Sequence, residues 1–125
     1  MIEKQIFEEE IRLLKENQEL KEKIENYLVG KGYNSKLKGF DYFCDIATIG
    51  LVKKKYSKTF LKEIYPFIAY KYNIKPFSVQ RQLRYTFTLS DEKLKIKPED
   101  LYQELWFEYK TGQLLKEDLK CQELK

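Results

Sequence analysis

The sequence predicts an all-α fold of about six helices around a helix-turn-helix, with an extended amphipathic helix at the N-terminus. Apolar residues recur at helical spacing along most of the chain. Only five Gly and three Pro interrupt the 125 residues, which leaves room for long helices. No alternation of apolar and polar residues lasts long enough to indicate a β-strand.

The composition restricts the class of protein. The chain is long enough for one domain with a modest core, and aromatic residues at 15% are typical of a globular chain rather than a disordered one. Because the chain has no His and two isolated Cys, we expect no enzyme, no metal and no cofactor. The acidic start is unlike a signal peptide, and no run of about 18 apolar residues occurs. We therefore expect a cytoplasmic protein without membrane contact.

Residues 2–28 read as one amphipathic helix in which Ile6, Leu13, Leu20 and Tyr27 recur every seven residues. If Ile6, Leu13 and Leu20 are assigned to the d positions of a heptad repeat, Asn17 falls at an a position between two of them. An Asn at such a position can favour a two-stranded parallel coiled coil. Glu10 at another a position argues against it. Two interpretations stay open: a homodimer through residues 2–28, or a helix packed on its own domain.

The remaining helices follow from apolar spacing and from helix-breaking residues. Ser35 is a candidate N-cap for a core helix that reaches about Lys55. Because Pro is unfavourable inside a helix, we expect a short helix at Phe60–Tyr65 and a new one at Pro66–Tyr72. Further helices are predicted at Phe77–Leu89, near Asp100–Lys110 and over residues 114–124.

Residues 66–89 have the spacing of a helix-turn-helix. That motif needs a small residue in the first helix, a residue in the turn that tolerates left-handed dihedrals, and an apolar anchor in the second helix. Ala69, Asn73 and Val79 meet these needs at separations of four and six residues. Asn is the best left-handed residue after Gly.

On a helical wheel, the second helix has an apolar face and an opposite polar face. Val79, Leu83 and Thr86 share the first face. The opposite face is predicted to read bases and holds Phe77, Gln80, Arg81, Arg84 and Thr88, with Tyr85 flanking it. Arg can bond guanine bidentately and Gln can pair with adenine in a major groove. The polar face therefore predicts a surface that recognises double-stranded DNA.

Positive charge is concentrated around this helix. Residues 50–85 carry nine basic groups and one acidic group, whereas residues 1–28 carry five and eight. Six lysines are predicted to hold phosphates: Lys53, Lys54, Lys55, Lys58, Lys71 and Lys75. Since Glu63 is the only acidic residue between Gly50 and Tyr85, we expect few local ion pairs for Arg81 and Arg84. A solvated lysine surface is the alternative interpretation.

Several of these segments resemble one known family. The Lys-Gly-aromatic step at Lys38–Phe40, "YPFIAYKYN" at Tyr65–Asn73 and "VQRQLR" at Val79–Arg84 carry the resemblance, with "FEY" at Phe107–Tyr109. Together they resemble the DNA-binding effector domain of the sporulation initiation response regulator, the stage zero sporulation protein A family. The resemblance covers roughly residues 24–120 and implies a six-helix fold that binds short DNA boxes and regulates transcription.

The resemblance also implies roles for individual residues. Arg81 and Arg84 match the two arginines that contact base edges or nearby phosphates. Gln80 stands where the family has a Glu, and Tyr85 where it has a His. Phe77 and Ser78 occupy the helix start, where the family has Ser and then Arg, and they complete the predicted base-reading set.

The organisation of the chain departs from that of the family. The family's regulator carries a receiver domain before this region, and about 28 residues are too few for one. We therefore expect residues 1–28 to act as a dimerisation element and residues 29–125 to form the DNA-binding domain. The predicted function is sequence-specific DNA binding and transcriptional regulation. The alternative is an interaction module that binds a partner regulator through its N-terminal helix.

Overall fold

The structure is a computed structural model that describes residues 6–89 and 91–112. Within these ranges, regular secondary structure is entirely helical, as predicted. The α-helices are α1 (Glu8–Glu16), α2 (Gln18–Lys31), α3 (Lys38–Val52), α4 (Phe60–Tyr72), α5 (Pro76–Arg84) and α6 (Pro98–Lys110). A π-helical turn (Tyr85–Leu89) follows α5, and a 3₁₀ turn (Glu92–Leu94) precedes α6.

Helix α3 forms the centre of the domain. Every residue from Tyr42 to Leu51 is buried. Helices α1, α2, α4, α5 and α6 all pack against it. A helix that is apolar on all sides needs such complete cover, because any exposed face would leave apolar surface in water.

The predicted single helix over residues 2–28 is wrong within the described residues, where two helices meet at Asn17. The Asn17 side chain donates a hydrogen bond to the Leu13 carbonyl at 2.8 Å, in competition with the helical backbone bonds. The buried apolar residues of the two helices belong to the domain core: Leu13, Leu14, Ile24 and Leu28. This segment therefore packs on its own domain, and dimerisation through it stays a prediction.

Pro66 lies inside the continuous helix α4, so the predicted division at this residue is wrong. Its ring is exposed, which avoids a clash with a neighbouring helix. The Lys62 carbonyl loses its helical donor, but Lys62 is also exposed and water can hydrate that carbonyl. Buried residues on both sides of the proline, including Leu61 and Ile68, hold the helix in place.

The other boundaries differ by smaller amounts. Ser35 does not cap α3, because the N-cap is Leu37 and no side chain caps it. Helix α5 starts at Pro76, and regular α-helix ends at Arg84 rather than at Leu89. The predicted helix over residues 114–124 lies outside the described residues. Among the residues described, no helix is both long and apolar enough to cross a membrane.

Candidate nucleic-acid interface

The corner between α4 and α5 has the predicted geometry at its three diagnostic positions. Asn73 ends α4 in the left-handed region, with φ 55° and ψ 51°. The next residue, Ile74, donates its backbone N–H to the Ala69 carbonyl at 2.9 Å, which closes the helix end. Ala69 and Val79 are buried, so the two helices approach closely at the corner.

Helix α5 has one buried face and one exposed face. Val79, Leu83 and Phe87 are at most 1% exposed and anchor the helix in the core. Five of the seven predicted base-reading residues are exposed on the helix and its extension: Phe77, Gln80, Arg81, Arg84 and Tyr85. The structure therefore brings these five side chains to one side of a firmly anchored helix.

Ser78 and Thr88 are placed differently. Both are half-buried, and the Thr88 hydroxyl donates to the Ile96 carbonyl at 3.2 Å. A π-helical turn has more residues per turn than an α-helix, so wheel positions calculated at 100° per residue drift after Arg84. The wider turn also leaves the Phe87 carbonyl to accept from Ile96 N–H at 2.8 Å. The turn thereby fixes the segment before α6.

Ion pairs engage part of the predicted phosphate-binding set of six lysines. Three of them have acidic partners that come from distant parts of the chain. Lys53 lies 3.7 Å from Glu9, Lys58 lies 3.0 Å from Asp100, and Lys71 lies 2.7 Å from Asp45. Among the described residues, Lys54, Lys55 and Lys75 are exposed and have no ion pair in the structure. Counting acidic residues along the chain did not reveal these pairs, because the acidic partners come from distant segments.

A buried carboxylate that the sequence prediction missed ties three helices together. Asp45 of α3 is completely buried, with Lys21 Nζ at 2.8 Å from Oδ1. Lys71 Nζ lies 2.7 Å from Oδ2, and the Tyr72 hydroxyl donates to the same oxygen at 2.5 Å. The signal in the sequence was one Asp inside the apolar run of α3. The cluster links α2 and α3 to the C-terminal end of α4, where the corner begins.

The Asp45 cluster shifts the pKa values of two partners. Burial raises the pKa of Tyr72, and the adjacent negative charge of Asp45 raises it further, so the hydroxyl stays a donor. Burial opposes the positive charge of Lys21, but its hydrogen bond to Asp45 and the charge of that carboxylate prevail and raise its pKa. Both shifts keep the protonation states that the cluster needs.

Gly39 sets how closely α5 approaches α3. A Cβ atom placed at Gly39 would lie 2.3 Å from the Gln82 carbonyl oxygen and 2.3 Å from Thr86 Oγ1. The backbone of α5 therefore rests directly on the first turn of α3. This contact gives a physical reason for the glycine in the Lys-Gly-aromatic step.

A wide groove lies elsewhere on the domain. It has a volume of about 1060 Å³ and runs between α1, α2 and α4, with Phe7, Leu14 and Phe67 among its apolar lining. Pro76 at the start of α5 reaches its edge, but none of the five exposed base-reading candidates lines it. Across residues 6–89 and 91–112, no group of His, Cys, Asp and Glu is arranged to hold a metal. The exposed base-reading candidates of α5 therefore form a convex surface outside this groove, which suits a macromolecular partner better than a small molecule.

Comparison with known proteins identifies the family. The family model described as "Sporulation initiation factor Spo0A C terminal" matches residues 24–113. No match to a curated protein or to a solved structure was found. The matched range covers more than half of the chain and includes α3, the α4–α5 corner and α6. The chain therefore belongs to the Spo0A C-terminal family of DNA-binding transcription regulators.

Proposed function

We propose that this protein binds double-stranded DNA sequence-specifically, by inserting α5 into the major groove, and so regulates transcription. One observation carries the proposal. Gln80, Arg81 and Arg84 project together from a helix whose opposite face is fully buried. An α-helix with its side chains is about 10–12 Å across, and the major groove of B-DNA is about 12 Å wide.

The charge around the helix supports this orientation. No Asp or Glu occurs from Ile64 to Ser90, whereas Lys71, Lys75, Arg81 and Arg84 fall in that range. Such a surface attracts phosphates and leaves the two arginines free of acidic neighbours along the helix. A helix that met only water would have no need for this one-sided composition.

Each group has a defined role in the proposal. Arg81 and Arg84 bond guanine edges or nearby phosphates, and Gln80 pairs with adenine. Lys54, Lys55 and Lys75 bind phosphates directly, because their ammonium groups are exposed. Lys53 and Lys58 join them by exchanging their carboxylate partners for phosphates. Lys71 and Thr88 hold protein atoms instead, and the proposal assigns them no DNA contact.

The test is fluorescence anisotropy on two duplexes, one carrying a family-type box and one scrambled, over a series of salt concentrations. Arg81→Ala and Arg84→Ala are measured beside the wild type. Arg12→Ala is the matched control, because Arg12 has the same charge but lies exposed on α1, paired with Glu16. Loss of a base-reading arginine should reduce the preference for the box by about 5- to 150-fold. The control should keep the preference.

Two results would contradict the proposal. Equal, weak binding to both duplexes that fades steeply with salt would show phosphate attraction without sequence reading. Absence of binding to either duplex at low salt would remove DNA recognition for these boxes. Binding of a protein partner through the N-terminal helices α1 and α2 would then be the function to test.

A further inference from the structure

A row of apolar side chains runs along the exposed side of the recognition helix. Phe77, Tyr85 and Leu89 are 66%, 48% and 58% exposed, with Arg81 between the first two. With Arg81 included, the row has one side chain every four residues, which places it along one side of α5 and its π-helical extension. Large apolar side chains in such a row cost free energy in water, which indicates that a partner covers them.

We propose that Phe77 recognises the 5-methyl group of a thymine within about two base pairs of the guanine that Arg81 reads. The inference rests on the proposed function and names part of the DNA site. Phe77 can offer no hydrogen bond, so it cannot read a donor or acceptor pattern. The thymine methyl is the apolar group that base pairs present in the major groove, and a Phe side chain suits it.

The distance between Phe77 and Arg81 limits where that thymine lies. The guanidinium carbon of Arg81 is 6.0 Å from the centre of the Phe77 ring, within range of a cation–π contact. Neighbouring bases on a strand are about 3.4 Å apart. The ring and the guanidinium therefore cover positions within about two base-pair steps of each other. The ring also restricts the guanidinium, which lowers the entropy cost of a bidentate contact with guanine.

The chemistry around the row favours DNA over a protein partner. Arginines alternate with the apolar side chains, and the nearest acidic residues along the chain are Glu63 and Asp91. If two copies of the chain packed together through this segment, Arg81 and Arg84 would find no carboxylate in it, because residues 64–90 contain no Asp or Glu. A DNA groove offers both phosphate charge and thymine methyl groups to the same face.

The test begins with selection from a library of duplexes with a 20-bp random core. Each thymine of the most enriched duplex is then replaced singly by deoxyuridine, which removes only the methyl group. At one thymine within two base pairs of a guanine, replacement by deoxyuridine should lower the affinity of the wild-type protein about fourfold. That factor corresponds to the free energy of burying one carbon group. Phe77→Ser should bind both versions of that duplex equally.

Phe107→Ser is the matched control. Phe107 is 65% exposed, close to the value for Phe77, but it lies on α6. This variant should keep the fourfold effect. Because Phe77 is exposed, its substitution should leave the fold intact, and circular dichroism of both variants checks this. Phe77→Leu is a second variant that retains an apolar contact and should keep part of the methyl dependence.

The outcomes separate this inference from the proposed function. An enriched duplex that loses preference in Arg81→Ala but shows no thymine-methyl effect would support sequence reading and overturn the role of Phe77. A methyl effect that persists in Phe77→Ser would overturn it equally. No enrichment of any duplex would contradict both. If Phe77→Ser then abolished self-association of the chain, the apolar row would be assigned to protein contact.

Discussion

Replacement of Gly39 by Ala should destabilise the protein and displace the recognition helix. The added methyl group would lie 2.3 Å from the Gln82 carbonyl oxygen, a backbone atom of α5. Ordinary van der Waals contact at such a site begins at about 3.4 Å. One of the helices must therefore move by about 1 Å, because no flexible side chain can give way at that carbonyl.

The magnitude follows from two opposing contributions. Overpacking a well-filled interface costs about 1–3 kcal/mol of unfolding free energy, and a contact with rigid backbone belongs near the upper limit. Ala is favoured over Gly in a helix interior by up to about 1 kcal/mol, and less near a helix start. The net loss should be about 2 kcal/mol. Since α5 carries the proposed reading face, DNA affinity should fall as well.

Urea unfolding followed by circular dichroism measures the stability change. Gly30→Ala is the matched control, because a Cβ at Gly30 meets nothing within 4 Å and α2 is helical there. That variant should be more stable than the wild type by about 0.4–1 kcal/mol. If Gly39→Ala were as stable as Gly30→Ala, the close packing of α3 on α5 would be refuted.

Four further predictions follow from the lysines, the buried tyrosines and the N-terminal helices. Lys71→Met should lower stability by about 1.5 kcal/mol by removing a hydrogen bond to buried Asp45. Lys75→Met should change the free energy of unfolding by no more than about 0.5 kcal/mol, and it should reduce the salt dependence of DNA binding by the equivalent of one phosphate contact. If both variants changed urea unfolding and DNA anisotropy to the same extent, the different roles of Lys71 and Lys75 would be contradicted. The free energy of unfolding should fall as pH rises from about 10 to 12, because burial raises the pKa of three tyrosines to about 12 while their pKa in the unfolded chain stays near 10. Urea unfolding across that pH range measures this change. A free energy of unfolding that stays constant over the range would contradict the prediction. Those tyrosines are Tyr27, Tyr65 and Tyr102. If residues 2–28 dimerise the chain, sedimentation velocity should show a size that rises with concentration; a monomer at every concentration would remove that prediction.

Features that depend on nearby residues could be predicted from the sequence. The turn at Asn73 follows from the tolerance of Asn for left-handed dihedrals, and the structure has φ 55° there. The buried face of α5 follows from the spacing of Val79 and Leu83, because one α-helical turn repeats every 3.6 residues. The same periodicity placed Arg81 and Arg84 on the exposed side.

Features that depend on two distant segments could not be predicted. The pairing of Lys58 with Asp100 and of Lys71 with Asp45 needs helices to be in place before the charges meet. The continuous helix through Pro66 needs core contacts on both sides that offset the lost hydrogen bond. The position of Thr88 also depends on another segment of the chain. Its hydroxyl donates to the Ile96 carbonyl from the π-helical turn, so Thr88 does not occupy the position that an α-helical wheel predicts.

The sequence by itself therefore determined the helical class, the α4–α5 corner and the side chains that project from α5, since these follow from local backbone preference and periodicity. Only the tertiary structure decided which lysines remain available for phosphates and how closely α5 rests on Gly39. It also decided that Asp45 binds α2 and α4 to α3. Those outcomes depend on contacts between residues that are far apart in the sequence, and the spacing of residues along the chain does not show which of them come into contact.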